Sequence, residues 1–84
     1  MIEQYDVVRL LRDLQIDSPT LGDGPISLPK GTTGTVLDLY GPQENPIDAD
    51  VEFTDDHGKT IAQELISLKD LEVVWSFKTK EWVS

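Results

Sequence analysis

The fold is decided at residues 28–36, which read LPKGTTGTV. Gly31 and Gly34 follow a proline and lead into a run of β-branched residues. Glycine takes a positive φ without steric cost, so Gly31 predicts a tight turn. Gly34 has no Cβ, and a second backbone can therefore approach the strand that begins there. The spacing predicts a turn that delivers the chain into a small, strongly bent antiparallel β-barrel.

The segments before this stretch predict one strand and one long loop. Residues 5–14 contain both a helical apolar stripe and a strand-like alternation. We predict a strand there, because the remaining elements are β and a barrel needs this element to close; a helix is the alternative. Residues 16–30 are rich in proline, glycine and aspartate and predict a loop. We expect Leu28 to pin that loop to the barrel.

The segments after residue 32 predict a hairpin of strands. Thr33–Tyr40 is rich in β-branched and aromatic residues and ends at Gly41 and Pro42. The next strand alternates strictly, which places two sets of side chains on opposite faces. The core set is Ala49, Val51 and Phe53, and the water-facing set is Asp48, Asp50, Glu52 and Thr54. Residues 55–58, DDHG, predict the hairpin turn, and residues 59–66 predict a returning strand whose buried face the pattern leaves open.

The C-terminal part predicts a turn, a closing strand and an extension. Residues 67–71 favour one 3₁₀ turn, with Ser67 accepting the backbone N–H of Asp70 and with Leu68 and Leu71 entering the core. Residues 72–75 predict the closing strand. Residues 76–84 predict either a tail or an added edge strand. We therefore expect an all-β fold in a single domain, residues 1–84: a five-stranded SH3-like barrel at about residues 4–75, with a long loop between strands 1 and 2 and a C-terminal extension.

The order of these motifs resembles a known family. The matching stretches are YDVVRL at residues 5–10, LPKGTTGTV at 28–36, VEFTDDHGKT at 51–60 and DLEVV at 70–74. Together they resemble an SH3-like barrel, and more closely the small bacterial family called domain of unknown function 4926, which is frequent in cyanobacteria. The resemblance covers about residues 4–75. Two features depart from it: the loop at residues 17–29 is longer than is typical, and the tail after Trp75 lies outside the shared pattern.

The resemblance implies a fold and supplies no activity. It further implies that the gene stands beside a second small gene, as the genes of toxin–antitoxin or immunity pairs do.

Charge and composition narrow the class of partner. The 84 residues include 16 acidic and 7 basic ones, for a formal net charge of −9. Such a charge repels phosphate backbones and anionic membranes, whereas it steers a basic protein surface toward the chain. We expect a protein partner with a basic surface, or self-association, and no nucleic acid, membrane or small-molecule substrate. The chain has no cysteine and no apolar run of membrane-spanning length, from which we expect a cytoplasmic protein.

The residues that catalysis or metal binding requires do not converge in the sequence. Asp48, Asp50 and Glu52 are spaced like the start of an EF-hand loop, but Phe53 stands where that loop needs glycine, and a row of strand residues diverges. His57 is the only histidine and falls in the exposed hairpin tip. In residues 24–32 the lysine precedes the glycine and a strand follows, unlike a phosphate-binding loop. We predict no enzyme, no metal and no cofactor.

Two groups of residues are candidates for partner binding. The first is the carboxylates Asp48, Asp50, Glu52, Asp55 and Asp56, and the second is the aromatic residues Trp75, Phe77 and Trp82. The first group predicts a protein-interaction module of the antitoxin or immunity type, which covers a basic site. The second predicts a homodimer or accessory subunit joined through the tail, unless Trp75 caps the barrel and residues 77–83 form an edge strand. The tail's mixture of lysines and aromatics is also typical of single-strand binders, which the net charge disfavours.

Overall fold

Val8 lies directly across from Gly34 near the middle of an antiparallel sheet. The computed structural model describes residues 1–17 and 25–83. These ranges contain eight strands and one 3₁₀ turn, and the predicted all-β class is confirmed. The elements are β1 Val7–Leu10, β2 Leu14–Ile16, β3 Ile26–Leu28, β4 Thr33–Tyr40, β5 Asp48–Thr54, β6 Thr60–Ser67, the 3₁₀ turn Leu68–Asp70, β7 Leu71–Ser76 and β8 Glu81–Trp82.

Six of the strands form one sheet in the order β6-β5-β4-β1-β7-β8, and β2 pairs only with β3 in a separate hairpin. Every pairing is antiparallel. The hydrogen-bonded order ends at β6 on one side and at β8 on the other. In the part of the chain that the structure describes, the sheet is therefore not closed into a barrel by hydrogen bonds. The SH3-like architecture stays a prediction.

Gly31 and Gly34 have the two different roles that the sequence predicts, a tight turn and a close approach of backbones. Gly31 has a φ of +93°, and its N–H donates to the backbone oxygen of Leu10 at 2.8 Å. Gly34 lies against β5, where an added Cβ would stand 2.7 Å from Cγ1 of Val51 and 2.9 Å from the backbone oxygen of Glu52. Both distances are too short for carbon, so only glycine fits between β1 and β5 at this point.

The core lies on one face of the bent sheet. Its buried apolar side chains come from β1 to β7, and along β1 and β5 they occupy alternate positions, which is the period that strands impose. They are Val8, Leu10, Ile16, Leu28, Val36, Ala49, Val51, Phe53, Ala62, Ile66 and Leu71. The inward positions predicted for β5 are confirmed, and β6 turns Ala62 and Ile66 toward the core.

A β-bulge in β4 changes which residues face the core. The register shifts between Val36 and Asp38, so that Asp38 lies opposite Asp50 and Leu39 lies opposite Ala49. Without the extra residue, strict alternation from Val36 would point Asp38 into the core. The bulge keeps this carboxylate on the outer face and packs Leu39 against the core.

Four predictions about local structure need correction or completion. The segment predicted as one strand at residues 5–14 is two strands, β1 and β2, with a bend between them. The predicted loop at residues 16–30 includes β3, and Leu28 at its end is 4% exposed, as expected for a residue that pins it; residues 18–24 lie outside the described residues. The expected 3₁₀ turn is present, but Ser67 makes no side-chain capping bond. Leu71 is buried, whereas Leu68 is half-buried.

The extension after β7 folds back as the edge strand β8, which pairs Trp75 with Trp82 and Ser76 with Glu81. The extension therefore contains an added edge strand, but a shorter one than the predicted residues 77–83: only Glu81–Trp82 pair, residues 77–80 form the turn before them, and Ser84 lies outside the described residues. Across the described ranges, no helix has the length and apolar character that a membrane crossing requires.

Candidate protein-interaction surfaces

The outer side of β4, β5 and β6 carries a patch of carboxylates, which we call the acidic face. Its acidic residues are Asp38, Asp48, Asp50 and Glu52. The strand register arranges this face in three rows across the sheet. The rows are Thr35–Glu52–Gln63, Asp38–Asp50–Leu65 and Tyr40–Asp48–Ser67.

Two of these carboxylates are held by neighbours on β6. Nε2 of Gln63 donates to Oδ2 of Asp50 at 2.8 Å, and the hydroxyl of Thr60 donates to Oε2 of Glu52. Asp48, Asp50 and Glu52 are half-buried rather than fully exposed. Asp38 accepts the N–H of the adjacent Leu39 through Oδ1, at 2.9 Å. The acidic face is thus partly ordered by hydrogen bonds within the sheet.

Positive charge is absent from the strands of this face. β4, β5 and β6 contain no lysine or arginine. The two ion pairs found within the described residues lie elsewhere: Arg9 with Glu72 at 2.6 Å and Arg12 with Asp70 at 3.0 Å. Leu65 is 54% exposed in the middle row of the face. The arrangement offers an apolar contact among carboxylates, which suits a basic protein surface.

Asp55 and Asp56 lie beyond the end of this face, in the β5–β6 turn. Oδ1 of Asp55 accepts the backbone N–H of His57 at 2.8 Å and that of Lys59 at 2.9 Å. Gly58 has a φ of +80°, as the hairpin prediction requires. Asp55 therefore shapes the turn, and Asp56 and His57 are exposed at its tip.

A second candidate surface, which we call the aromatic corner, consists of Tyr5, Trp75, Phe77 and Lys80. The ring of Phe77 meets the ring of Tyr5 edge-on at a centroid distance of 5.2 Å, and that of Trp75 at 6.3 Å. Nζ of Lys80 lies 3.2 Å from the centroid of Phe77 and 5.7 Å from that of Trp75. The structure thus brings together Trp75 and Phe77 of the predicted aromatic group. Trp82 lies across from Trp75 in the strand pairing and is 77% exposed.

The aromatic corner is anchored by a buried carboxylate. Asp6 is 2% exposed and accepts two backbone N–H groups, that of Glu3 through Oδ2 and that of Phe77 through Oδ1, each at 2.9 Å. It fixes the N-terminal turn against the β7–β8 turn. A cleft of about 390 Å³ lies where these turns meet, lined by Glu3, Gln4, Tyr5, Phe77 and Lys78.

Sequence reasoning missed Asp6 and Asp38. The signal for Asp38 is the broken alternation in VLDLY at residues 36–40, which places an acid between apolar residues and requires a bulge. For Asp6 the local sequence holds no signal, because its partner Phe77 comes from the other end of the chain. In the portion described by the structure, no cluster of three or more His, Cys, Asp or Glu side chains could hold a metal ion.

Comparison with known proteins identifies one relationship. The family model for Domain of unknown function (DUF4926) matches residues 4–73. This range includes β1 to the middle of β7 and the whole acidic face, and it ends before Trp75, Phe77 and Trp82. Neither a curated protein nor a solved structure gives a significant match.

Proposed function

Because the chain belongs to the family Domain of unknown function (DUF4926), whose description names no activity, we propose from its surfaces that it is a non-enzymatic protein-binding domain. The observation that carries the proposal is the acidic face. Four carboxylates on β4 and β5 lie beside an exposed leucine on β6, and none of these three strands has a lysine or arginine. The partner is a protein with a basic surface.

The physical argument is electrostatic steering followed by apolar contact. A net charge of −9 attracts a basic surface over roughly a Debye length, about 8–10 Å at physiological salt. Asp38 and Asp48 are the carboxylates best placed to meet partner cations, since Gln63 and Thr60 already donate to Asp50 and Glu52. Tyr40 and Leu65 then supply apolar area that a partner can cover.

In its more specific form, the proposal is that the domain covers a functional basic site of the partner, as an antitoxin or immunity protein does. The gene neighbourhood that the family resemblance implies is consistent with this role. A chain without cysteine needs no oxidising compartment, and we place the interaction in the cytoplasm.

The test is affinity capture from the source cells with three immobilised proteins: the wild type, the face variant D38N/D48N and the control variant D17N/E44Q. Both variants remove the same charge, and Asp17 and Glu44 are exposed and lie outside the three strands of the face and outside the C-terminal hairpin. We expect one stoichiometric partner on the wild type and the control, and its loss from D38N/D48N and in fivefold higher salt. Equal capture by the two variants would contradict a role for the acidic face.

A second candidate function, a homodimer or an accessory subunit joined through the C-terminal hairpin, is supported by a different observation. β8 is an edge strand, and its Trp82 is 77% exposed beside the exposed Val83. Large exposed aromatic residues on a sheet edge favour association. This candidate predicts a mass that rises with concentration in analytical ultracentrifugation and that W82S returns to the monomer value. A monomer at every concentration would rule out the homodimer.

A further inference from the structure

The ammonium group of Lys80 lies over an aromatic ring, which is where cation-binding sites in proteins hold their ligand. Its ammonium nitrogen lies 3.2 Å from the ring centroid of Phe77 and 5.7 Å from that of Trp75. The face of an aromatic ring attracts a cation through its quadrupole, and sites for alkylammonium ligands are built from such faces. Phe77 remains 43% exposed, so an external cation can approach the same ring.

The surroundings of this pair are held in position. Asp6 fixes the backbone N–H of Phe77 from inside, and the N–H of Lys80 donates to the backbone oxygen of Ser76 at 2.7 Å. Among the described residues, the two non-glycine residues with positive φ are Tyr5 at 70° and Lys80 at 61°, and both belong to the aromatic corner. Strained backbone of this kind persists only where surrounding contacts fix it, and it clusters at binding sites.

We propose that Trp75 and Phe77 form a binding site for an alkylammonium group, which Lys80 fills in the free protein and a lysine side chain of the partner fills in the complex. The identity of that occupant rests on the basic partner of the proposed function. A net charge of −9 favours a cationic occupant, and the adjoining cleft is lined by one acidic and one basic residue, Glu3 and Lys78. Trp82 extends the aromatic surface, since cross-strand partners leave the same face of a hairpin.

Lys80 acts in this arrangement as an internal competitor. An external cation must displace the ammonium of Lys80 before it can bind. The usual strength of a cation–π contact makes the binding of the external cation about 3- to 30-fold weaker than it would be without Lys80. Removing the ammonium of Lys80 therefore opens the site and strengthens binding by that factor. Removing a neighbouring lysine that does not fill the site changes the affinity only through the lost charge, and so by less than that factor.

The experiment titrates tetramethylammonium chloride into isotopically labelled protein, with sodium chloride at equal ionic strength as the reference. It follows the indole N–H of Trp75 and the amide of Phe77 by NMR in the wild type, K80Q and K78Q. Lys78 belongs to the same turn, so K78Q removes the same charge and leaves Lys80 in place. We expect K80Q to bind the probe about 3- to 30-fold more tightly than the wild type and K78Q. Equal titrations of K80Q and K78Q would overturn the proposal.

A further variant identifies the ring that binds the cation. F77L in the K80Q background is expected to abolish the response at Trp75, while dispersed amide signals from β4 and β5 show that the fold is retained. A response that survives F77L would exclude Phe77 as the binding surface. This titration needs no partner protein. A negative titration therefore contradicts the alkylammonium site and not the acidic face, whereas a negative capture experiment contradicts the acidic face and not this site.

Discussion

The carboxylate of Asp6 accepts the backbone N–H of Phe77 at 2.9 Å, across 71 residues of chain. Its other oxygen accepts the N–H of Glu3 at the same distance. One buried side chain thus joins the N-terminal turn to the turn after β7 and sets the position of the aromatic corner. This contact makes the corner part of the folded domain rather than a loose tail.

Replacing Asp6 is expected to destabilise the whole domain. D6A removes a carboxylate that is 2% exposed and leaves the N–H groups of Glu3 and Phe77 without their charged acceptor, which costs about 2–4 kcal/mol in the free energy of unfolding. The control is D13A, which removes one exposed bond to the N–H of Lys30 at 2.7 Å and is expected to cost less than about 1 kcal/mol. Urea unfolding measures both values. Equal losses for the two variants would show that Asp6 is not an anchor.

Gly34 and Gly31 are expected to respond differently to alanine. The added Cβ in G34A meets backbone and side-chain atoms of β5 at 2.7–2.9 Å, and the resulting displacement costs about 2–3 kcal/mol. In G31A the Cβ meets nothing within 4 Å, so only the positive φ is penalised, at about 1 kcal/mol. Thermal unfolding measures both losses, G34A reporting the steric contact with β5 and G31A reporting the strain of a positive φ. A larger loss for G31A would contradict this assignment.

Asp38 and Asp50 are directly opposite each other on neighbouring strands, and like charges in such pairs repel. D38N keeps an oxygen for the N–H of Leu39 and removes the repulsion. We expect it to raise the free energy of unfolding by about 0.5 kcal/mol at low salt, with a smaller gain at high salt. E44Q, in the exposed connection between β4 and β5, removes the same charge as a control. An equal gain for E44Q would attribute the effect to net charge rather than to the pair.

The turn that carries Lys80 allows backbone strain to be separated from the cation–π contact. K80A retains the positive φ of 61° and loses the ammonium, so we expect a loss of about 0.5–1 kcal/mol in unfolding free energy. K80G also loses the ammonium but relieves the strain, which offsets about 1 kcal/mol. Urea unfolding should therefore rank K80G above K80A and close to the wild type. Identical values for the two variants would show that the turn is unstrained.

Much of the sheet could be predicted because its long strands have β-branched residues and an apolar–polar alternation that are visible in the local sequence. Thr33–Tyr40 has its predicted bounds, and the core positions of β5 follow from strict alternation. The short strands β2 and β3 were missed because three-residue strands in a loop-like composition gain their structure from pairing with each other. The buried face of β6 could not be predicted, since only its register against β5 assigns Ala62 and Ile66 to the core.

The candidate surfaces were predicted in part: one missed residue, Asp38, had a local signal, and the other, Asp6, depends on a contact between the two ends of the chain. The row of Asp48, Asp50 and Glu52 follows from strand periodicity, whereas Asp38 joins it only through the bulge in β4. The tail aromatics were singled out by residue type alone. Their arrangement depends on Tyr5 and Asp6, which come from the other end of the chain, and on the turn that places Lys80 over Phe77.

The most direct measurement of the central claim is the association rate constant between this protein and its captured partner, at two salt concentrations. We compare the wild type with the charge-reversal variant D38K/D48K and with D17K/E44K as the matched control. Steered association predicts that a fivefold rise in salt slows the wild type by about tenfold and that D38K/D48K is slow even at low salt. The two reversal variants would associate at equal rates if the acidic face plays no part, and that result would contradict the account.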